Sequence, residues 1–206
     1  MHNPSLPVGL HHSILSRQEI KQVQTFLIRS GLNIHLNKKT TVTTGNSFIS
    51  NKRTVSNVSG YAPEHRIWQQ LLYNHKLSTI FINHRFRLEQ RFISKSIVVN
   101  NKLKNDGPVY ANRFRYFIRN VLPLKKEATF KKGMFVALQN EVFVNFGNTS
   151  TVNGKFFDQN RLYLATGFRL SPKADLEIGY MNQYVNGLGS QFTNNHILQL
   201  ASYLRL

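Results

Sequence analysis

The sequence predicts an all-β fold: an antiparallel, up-and-down transmembrane β-barrel whose polar interior is lined by arginine and glutamate. Three observations lead to this prediction. Polar and apolar residues alternate one by one along most of the chain, which is the two-residue period of a strand. Several alternating stretches exceed the usual strand length of about five or six residues and match the roughly nine to eleven that cross a bilayer at a tilt. The connections between them alternate in length, as in a meander with two unlike ends.

The stretch HRFRLEQRF, residues 84–92, illustrates the alternation. Arg85, Arg87, Glu89 and Arg91 occupy every second position, and the residues between them are apolar or uncharged. A helix would spread these side chains around its circumference, whereas a strand separates them onto two faces. The same reasoning predicts about nine strands of a barrel of ten to twelve. They span residues 22–36, 40–50, 64–74, 79–92, 109–122, 134–146, 157–170, 175–184 and 195–206.

The later strands keep the same two faces. In NRFRYFIRN of the fifth strand and VALQNEVFV of the sixth, arginine, glutamine and glutamate alternate with aromatic and aliphatic residues. The seventh and eighth strands repeat this scheme with both signs of charge. In the ninth strand Leu198, Leu200, Leu204 and Leu206 share one face up to the last residue, with Ser202 as the exception, and such an apolar face is typical of the closing strand of an outer-membrane barrel.

The connections are predicted to differ in length. Those around NKK, HKLS and SPKA are short, whereas residues 51–63 and 94–108 are predicted to be long loops, and the other three connections are intermediate. Short turns at one end and longer loops at the other are typical of a membrane barrel.

Residues 21–206 are predicted to form a single barrel domain, and residues 1–20 an atypical N-terminal segment that is disordered or truncated. The first residues lack the charged start, apolar centre and cleavage site of a secretory signal. Single-chain bacterial barrels have an even number of strands, so nine predicted strands lead us to expect one or three more before residue 22.

Composition limits the classes of partner. The 206 residues include 27 Lys and Arg against 9 Asp and Glu, a formal net charge of +18, which by itself would suggest an anionic partner. Most lysines lie in predicted turns and most arginines inside alternating strands, so no nucleic-acid partner is predicted. The absence of cysteine excludes disulfides and thiolate metal sites. No apolar run reaches the roughly 18 residues of a membrane-spanning helix.

Seven ordered stretches carry a resemblance to a known family: QTFLIRSGLNIHL, PEHRIWQQLL, HRFRLEQRF, NRFRYFIRNVLPL, LQNEVFVNFG, QNRLYLATGFRLSPKADLEIGYMNQY and NHILQLASYLRL. From about residue 20 onward the chain resembles the domain of unknown function 2490 (DUF2490) family. The resemblance implies a small β-barrel of the Gram-negative outer membrane, with outer-membrane lipid as its surroundings and the barrel-assembly machinery as a partner of its C-terminal strand. It implies no reaction and no catalytic residues.

The polar face of the strands is predicted to line the barrel lumen. Its residues are Glu64, Arg66, Gln70, Arg85, Arg87, Glu89, Arg91, Arg113, Arg115, Arg119, Glu141, Arg161, Asp175 and Glu177. We interpret them as a network of side chains that fills a narrow lumen through charge-assisted hydrogen bonds. One alternative is a narrow, anion-preferring pore, since arginines outnumber carboxylates. Another is a soluble, basic, all-β binding module.

No catalytic constellation, cofactor site or metal site is predicted. Glu89 and Glu141 have arginine neighbours, which favour the charged carboxylate rather than a general acid. His84, His196 and Ser202 fall on apolar faces without a shared register, and the pair at residues 11–12 lacks a third metal ligand.

Aromatic residues near strand ends or on apolar faces are predicted to anchor the protein at the membrane interface. They are Trp68, Tyr73, Tyr110, Tyr116, Tyr180 and Tyr184.

Overall fold

The computed structural model describes residues 25–125 and 129–204. The predictions for residues 1–20 and for the last two residues therefore lie outside the described part of the chain. Within the described residues, nine strands and one short 3-10 helix, Thr149–Thr151, follow one another. The strands are β1 Thr25–His35, β2 Thr40–Val55, β3 Val58–Leu77, β4 Ile80–Val99, β5 Lys102–Pro123, β6 Gly133–Phe146, β7 Phe157–Ser171, β8 Ala174–Asn186 and β9 Phe192–Leu204. The all-β prediction is confirmed.

The nine strands form one sheet in the order of the sequence, and every neighbouring pair is antiparallel. This up-and-down order is the predicted one. The register brings alternate charged residues opposite one another, as where Glu89 of β4 lies opposite Arg113 of β5. In the described part of the chain, no helix is both long enough and apolar enough to cross a membrane.

Two hairpins extend further than predicted. The segments 51–63 and 94–108, predicted to be long loops, are mostly paired strand, closed by two-residue turns at residues 56–57 and 100–101. The turn residues Ser56, Asn57, Asn100 and Asn101 have φ values of 47°, 64°, 49° and 59°. Two successive positive φ angles are typical of the type I′ turn, whose twist matches that of the flanking strands. The prolines and polar residues in these segments led the sequence prediction to end the strands too early.

The hairpin connections define two ends of the sheet. We call the end with residues 56–57, 100–101, 147–156 and 187–191 the mouth end, and the end with residues 36–39, 78–79, 124–132 and 172–173 the plug end. The predicted alternation of short and long connections is wrong. The longer connections are 124–132 at the plug end and 147–156 at the mouth end.

The two faces of the sheet have opposite polarity, and the polar one is buried. On the apolar face Leu138 and Leu164 are 47% and 56% exposed, whereas Arg87 and Glu141 on the charged face are each 3% exposed. A water-soluble sheet protein buries its apolar side chains and exposes its charges. This sheet does the reverse on most of its described strands.

The charged face is concave. Neighbouring strands lie about 4.8 Å apart, so β5 and β9 would be separated by about 19 Å in a flat sheet. The guanidinium group of Arg119 in β5 nevertheless lies 5.1 Å from the ring centre of Tyr203 in β9, and it also donates to Glu177 of β8. The sheet therefore curls strongly around its charged side chains.

An apolar cluster fills the concave face near the plug end. Its buried members are Phe130, Phe135, Ala137, Tyr163, Ala165 and Met181. Phe130 comes from the connection between β5 and β6 and is only 7% exposed. Arg169 holds it in place, because its Nη1 donates to the Phe130 carbonyl oxygen at 3.0 Å and its guanidinium stacks 4.4 Å from the ring centre. Phe130 thus lies inside the concavity.

Candidate functional site

The eight arginines and five carboxylates that the sequence singles out all lie on the concave face, by the alternation of the strands. Strands β3 to β8 supply them. The structure places nine of them in one network of ion pairs, which we call the central network. Its members are Glu64, Arg66, Arg85, Arg87, Glu89, Arg91, Arg113, Arg115 and Glu141.

Glu89 is the centre of this network. Its carboxylate accepts from Arg113 Nη2 at 2.7 Å and from Arg115 Nη1 at 2.7 Å. Arg66 Nη1 and Arg87 Nη1 lie 3.6 and 3.9 Å from its oxygens. The side chain is 1% exposed. A buried carboxylate is tolerated only when partners replace its water, and here four guanidinium groups surround it.

Glu64 and Glu141 extend the network toward opposite ends. Glu64 accepts from Arg66 Nε at 2.5 Å and from Arg91 Nε at 2.6 Å. Glu141 accepts from Arg85 Nη2 and from Arg115 Nη2, each at 2.7 Å. Arg66 and Arg115 each bridge two carboxylates, so the three acidic side chains form one connected chain across β3 to β6.

Four of the predicted residues lie outside the central network. Arg119 pairs with Glu177, and Asp175 pairs with Arg169 at 2.8 Å, nearer the plug end. Arg161 stacks 5.0 Å from the ring centre of Phe143. When the Gln159 amide is oriented so that its oxygen faces Arg161, that oxygen accepts a hydrogen bond from Arg161 Nη2 at 3.0 Å. The predicted polar face is therefore several clusters rather than one network.

Gln70 also joins the concave face. Its oxygen accepts from Arg87 Nε at 3.0 Å and from Arg87 Nη2 at 2.5 Å. Among the described residues Arg87 Nη1 and Arg85 Nε have no hydrogen-bond partner. Each of these two arginines thus keeps one buried N–H group without an acceptor.

Sequence reasoning missed the aromatic rings beneath the arginines. The Phe143 ring centre lies 4.4 Å from the Arg115 guanidinium and 5.2 Å from that of Arg113. Trp68, predicted to be an interfacial anchor, lies instead on the concave face, 4% exposed and 4.8 Å from the Arg87 guanidinium. Strict counting of alternate positions in β3 and β6 would have found both. Cation–π contacts of this kind are stronger when the ring and cation are desolvated.

Two charged residues of this face were also missed. Asp158 accepts from Arg113 Nη1 at 3.2 Å, and Arg29 of β1 lies 5.7 Å from the Trp68 ring centre. Asp158 lies where the pairing of β6 with β7 shifts by one residue between Phe143 and Val144, and such a shift hides the two-residue period.

The concave face offers ion pairing and packing rather than an evident catalytic group. Each carboxylate of the central network accepts hydrogen bonds from at least two arginines, so none is left unpaired in the way a general base would be. Across residues 25–125 and 129–204, no three His, Cys, Asp or Glu side chains form a group suited to a metal ion. His196 and Ser202 lie six positions apart on β9, about 20 Å along a strand, so they form no dyad.

Comparison with known proteins adds three findings. A family model described as a protein of unknown function (DUF2490) matches residues 4–194. An uncharacterized protein of Methylorubrum extorquens is 24% identical over 187 residues, which cover 90% of this chain and 75% of that protein. No solved structure matches the chain.

Proposed function

The chain belongs to the DUF2490 family of proteins of unknown function, and from this premise we propose that it is a β-barrel of a bacterial outer membrane with an interior filled by side chains. The function proposed is structural or binding, without catalysis. Its surroundings would be outer-membrane lipid.

The inverted polarity of the sheet is the observation that carries this proposal. Large apolar side chains are exposed on eight of the nine described strands, all but β2, from β1, with Ile28 48% exposed, to β9, with Leu200 80% exposed. Monomeric soluble proteins rarely expose contiguous apolar surface of more than a few hundred Å². A surface this extensive needs an apolar solvent, and lipid hydrocarbon supplies one around a curled sheet.

A barrel also meets the demands of lipid on the backbone. Unpaired N–H and C=O groups cost several kcal/mol each in hydrocarbon, so a sheet in a membrane must close. The outer strands β1 and β9 run in the same direction, because the strands between them alternate. Antiparallel closure therefore needs an odd number of strands in addition to these nine. In the proposed orientation β9 ends on the periplasmic side, where the barrel-assembly machinery would engage it.

We propose a filled interior in preference to an anion-preferring pore. The central network occupies the middle of the concave face, and the apolar cluster around Phe130 occupies its plug end. A small barrel has an interior that its own side chains can fill. In such a filled interior there is no open channel, so the excess of arginine over carboxylate would not conduct anions.

The absence of cysteine allows a direct test of membrane insertion with single-cysteine variants of the full chain. Leu164→Cys places an environment-sensitive fluorophore at the middle of β7 on the apolar face, and Lys104→Cys places it on the exposed hairpin at the mouth end. Both proteins are folded into lipid vesicles that carry a nitroxide quencher near the bilayer centre. We expect strong quenching at position 164 and little at position 104.

Equal, weak quenching at both positions would contradict the proposal. Recovery of the unlabelled wild-type protein in the soluble fraction of a detergent-free extract would favour a basic soluble module instead. The folded protein should also migrate faster than the boiled protein on a denaturing gel. Stable ion conductance in planar bilayers would favour the pore.

A further inference from the structure

A polar pocket lies at the mouth end of the concave face, above the central network. Its volume is about 620 Å³, and residues of β2, β4, β5, β7 and β8 line it together with the connection 147–156. Pockets of about 300 to 1,000 Å³ are typical of small-molecule sites. A barrel filled for support alone does not require an open cavity of this size.

The charge of the pocket is predominantly positive. Arg53, Arg91, Lys95 and Arg113 line it, against the single carboxylate of Asp158. That carboxylate is already engaged, because it accepts from Arg113 Nη1 at 3.2 Å and from Asn153 Nδ2 at 3.1 Å. The positive side chains therefore dominate what a ligand would meet.

Two donors in the pocket lack a partner among the described residues. Arg91 directs Nε and Nη2 to Glu64, at 2.6 and 3.2 Å, which leaves Nη1 unused. Ser96 has a buried hydroxyl oxygen without a hydrogen-bond partner in the same part of the chain. Buried polar groups are nearly always paired, so the unpaired Ser96 hydroxyl in this pocket marks a place for a ligand atom. Arg91 Nη1 is not a buried atom and offers a further donor to a ligand.

The walls also include apolar side chains. Val55, Ile93 and Val109 line the pocket beside the arginines. An inorganic anion would use only the donors, whereas an organic anion would also bury carbon against these three residues. The combination resembles the general pattern of ligand sites, in which a few polar groups orient a ligand inside apolar walls.

We propose that this pocket binds a small organic anion that carries a carboxylate or phosphate group. Arg91 and Ser96 contact the anionic group, Arg53 contributes long-range attraction from the rim, and the organic part packs against Val55, Ile93 and Val109. This inference goes beyond the proposed function. The pocket lies inside the concavity, away from the lipid-facing side of the sheet. If the pocket bound no anion, the result of the membrane-insertion test would therefore be unaffected.

The test is isothermal titration calorimetry of the folded full-length protein in detergent, with phenyl phosphate and benzoate as probes. Benzyl alcohol is the matched neutral probe. Arg53→Gln alters an exposed side chain of the pocket, and Lys104→Gln removes a cation from the same end of the protein without touching the pocket. Arg91→Gln removes the proposed contact itself.

We expect wild-type protein to bind at least one anion and to bind benzyl alcohol much more weakly. Arg53→Gln should weaken anion binding about threefold and Arg91→Gln about tenfold or more, with Lys104→Gln unchanged. The proposal is overturned if neither anion binds, if benzyl alcohol binds equally well, or if Lys104→Gln weakens binding as much as Arg53→Gln. Should Arg91→Gln not fold, Arg53→Gln and Ser96→Ala, which should also weaken binding, decide the outcome.

Discussion

Substitution of Glu89 by Gln is the sharpest test of the central network. The change keeps the shape of the side chain and removes the negative charge that Arg113 and Arg115 approach at 2.7 Å. Arg66 and Arg87 also lie within 4 Å of the same carboxylate. A neutral amide would also present an N–H₂ group to donors. Glu89→Gln should therefore destabilise the folded protein strongly.

The contacts set the expected magnitude. Breaking a buried ion pair by removing one partner costs about 3 to 5 kcal/mol, because the other charge stays buried without compensation. Each of the four arginines keeps one other partner: Asp158 for Arg113, Glu141 for Arg115, Glu64 for Arg66 and Gln70 for Arg87. The remaining partners limit the loss, so we expect the lower part of that range, about 3 kcal/mol.

The free energy of unfolding is measured by urea titration of protein in lipid vesicles, with the heat-modifiable gel band as the readout of the folded state. Asp106→Asn is the matched control, since its pairing with Lys95 at 3.9 Å is solvent-exposed and should contribute only about 0 to 1 kcal/mol. Adding Arg87→Gln to Glu89→Gln removes one uncompensated cation, so the double variant should lose less than the sum of the single losses.

A Glu89→Gln protein as stable as Asp106→Asn would refute the reasoning. It would mean that water or small ions compensate the arginines, and hence that the centre of the concave face is not sealed. Strict additivity in the double variant would separately show that Arg87 does not share in the network.

Three further changes probe the faces and the packing. Leu138→Arg on the apolar face should lower the stability of the protein in vesicles by about 2 to 4 kcal/mol, whereas Thr54→Arg at the mouth end should have little effect by the same measurement. Gly179→Ala should cost about 1 to 3 kcal/mol, because its Cβ would lie 2.6 Å from the Leu164 carbonyl oxygen; unchanged urea unfolding would contradict this. Phe130→Ala should cost about 3 to 5 kcal/mol, and a cost below 1 kcal/mol would show that the ring is not packed into the concavity.

The two-residue period carries most of what the sequence predicts correctly. Strand number and the side of the sheet on which Arg87 and Glu141 lie follow from alternation, because a one-residue shift would exchange the two faces. Pairing partners do not follow from it. That Arg119 meets Glu177 three strands away depends on the curl of the sheet, which local sequence does not encode.

The errors have local causes. Pro63 and Pro108 suggest loops, yet both lie within paired strands at the extended hairpins. Phe130 lies in a connection whose residues do not alternate between polar and apolar, so its position inside the concavity could not be predicted from residue spacing. The residue type of Trp68 suggests the membrane interface, although its position in the alternation places it beside Arg87.

The two ends of the concave face differ, and the difference bears on how a solute would meet the protein. At the plug end a solute meets Phe130 and its mainly apolar neighbours, beside the paired charges of Arg169 and Asp175. At the mouth end it meets a pocket with four basic side chains, and beyond the pocket the paired charges of the central network. In the proposed orientation the mouth end faces away from the periplasm. Under the proposals above, the basic side chains of the pocket would attract an anion from outside, and two of them, Arg91 and Arg113, are themselves held by Glu64 and Glu89. This arrangement suits capture better than transport.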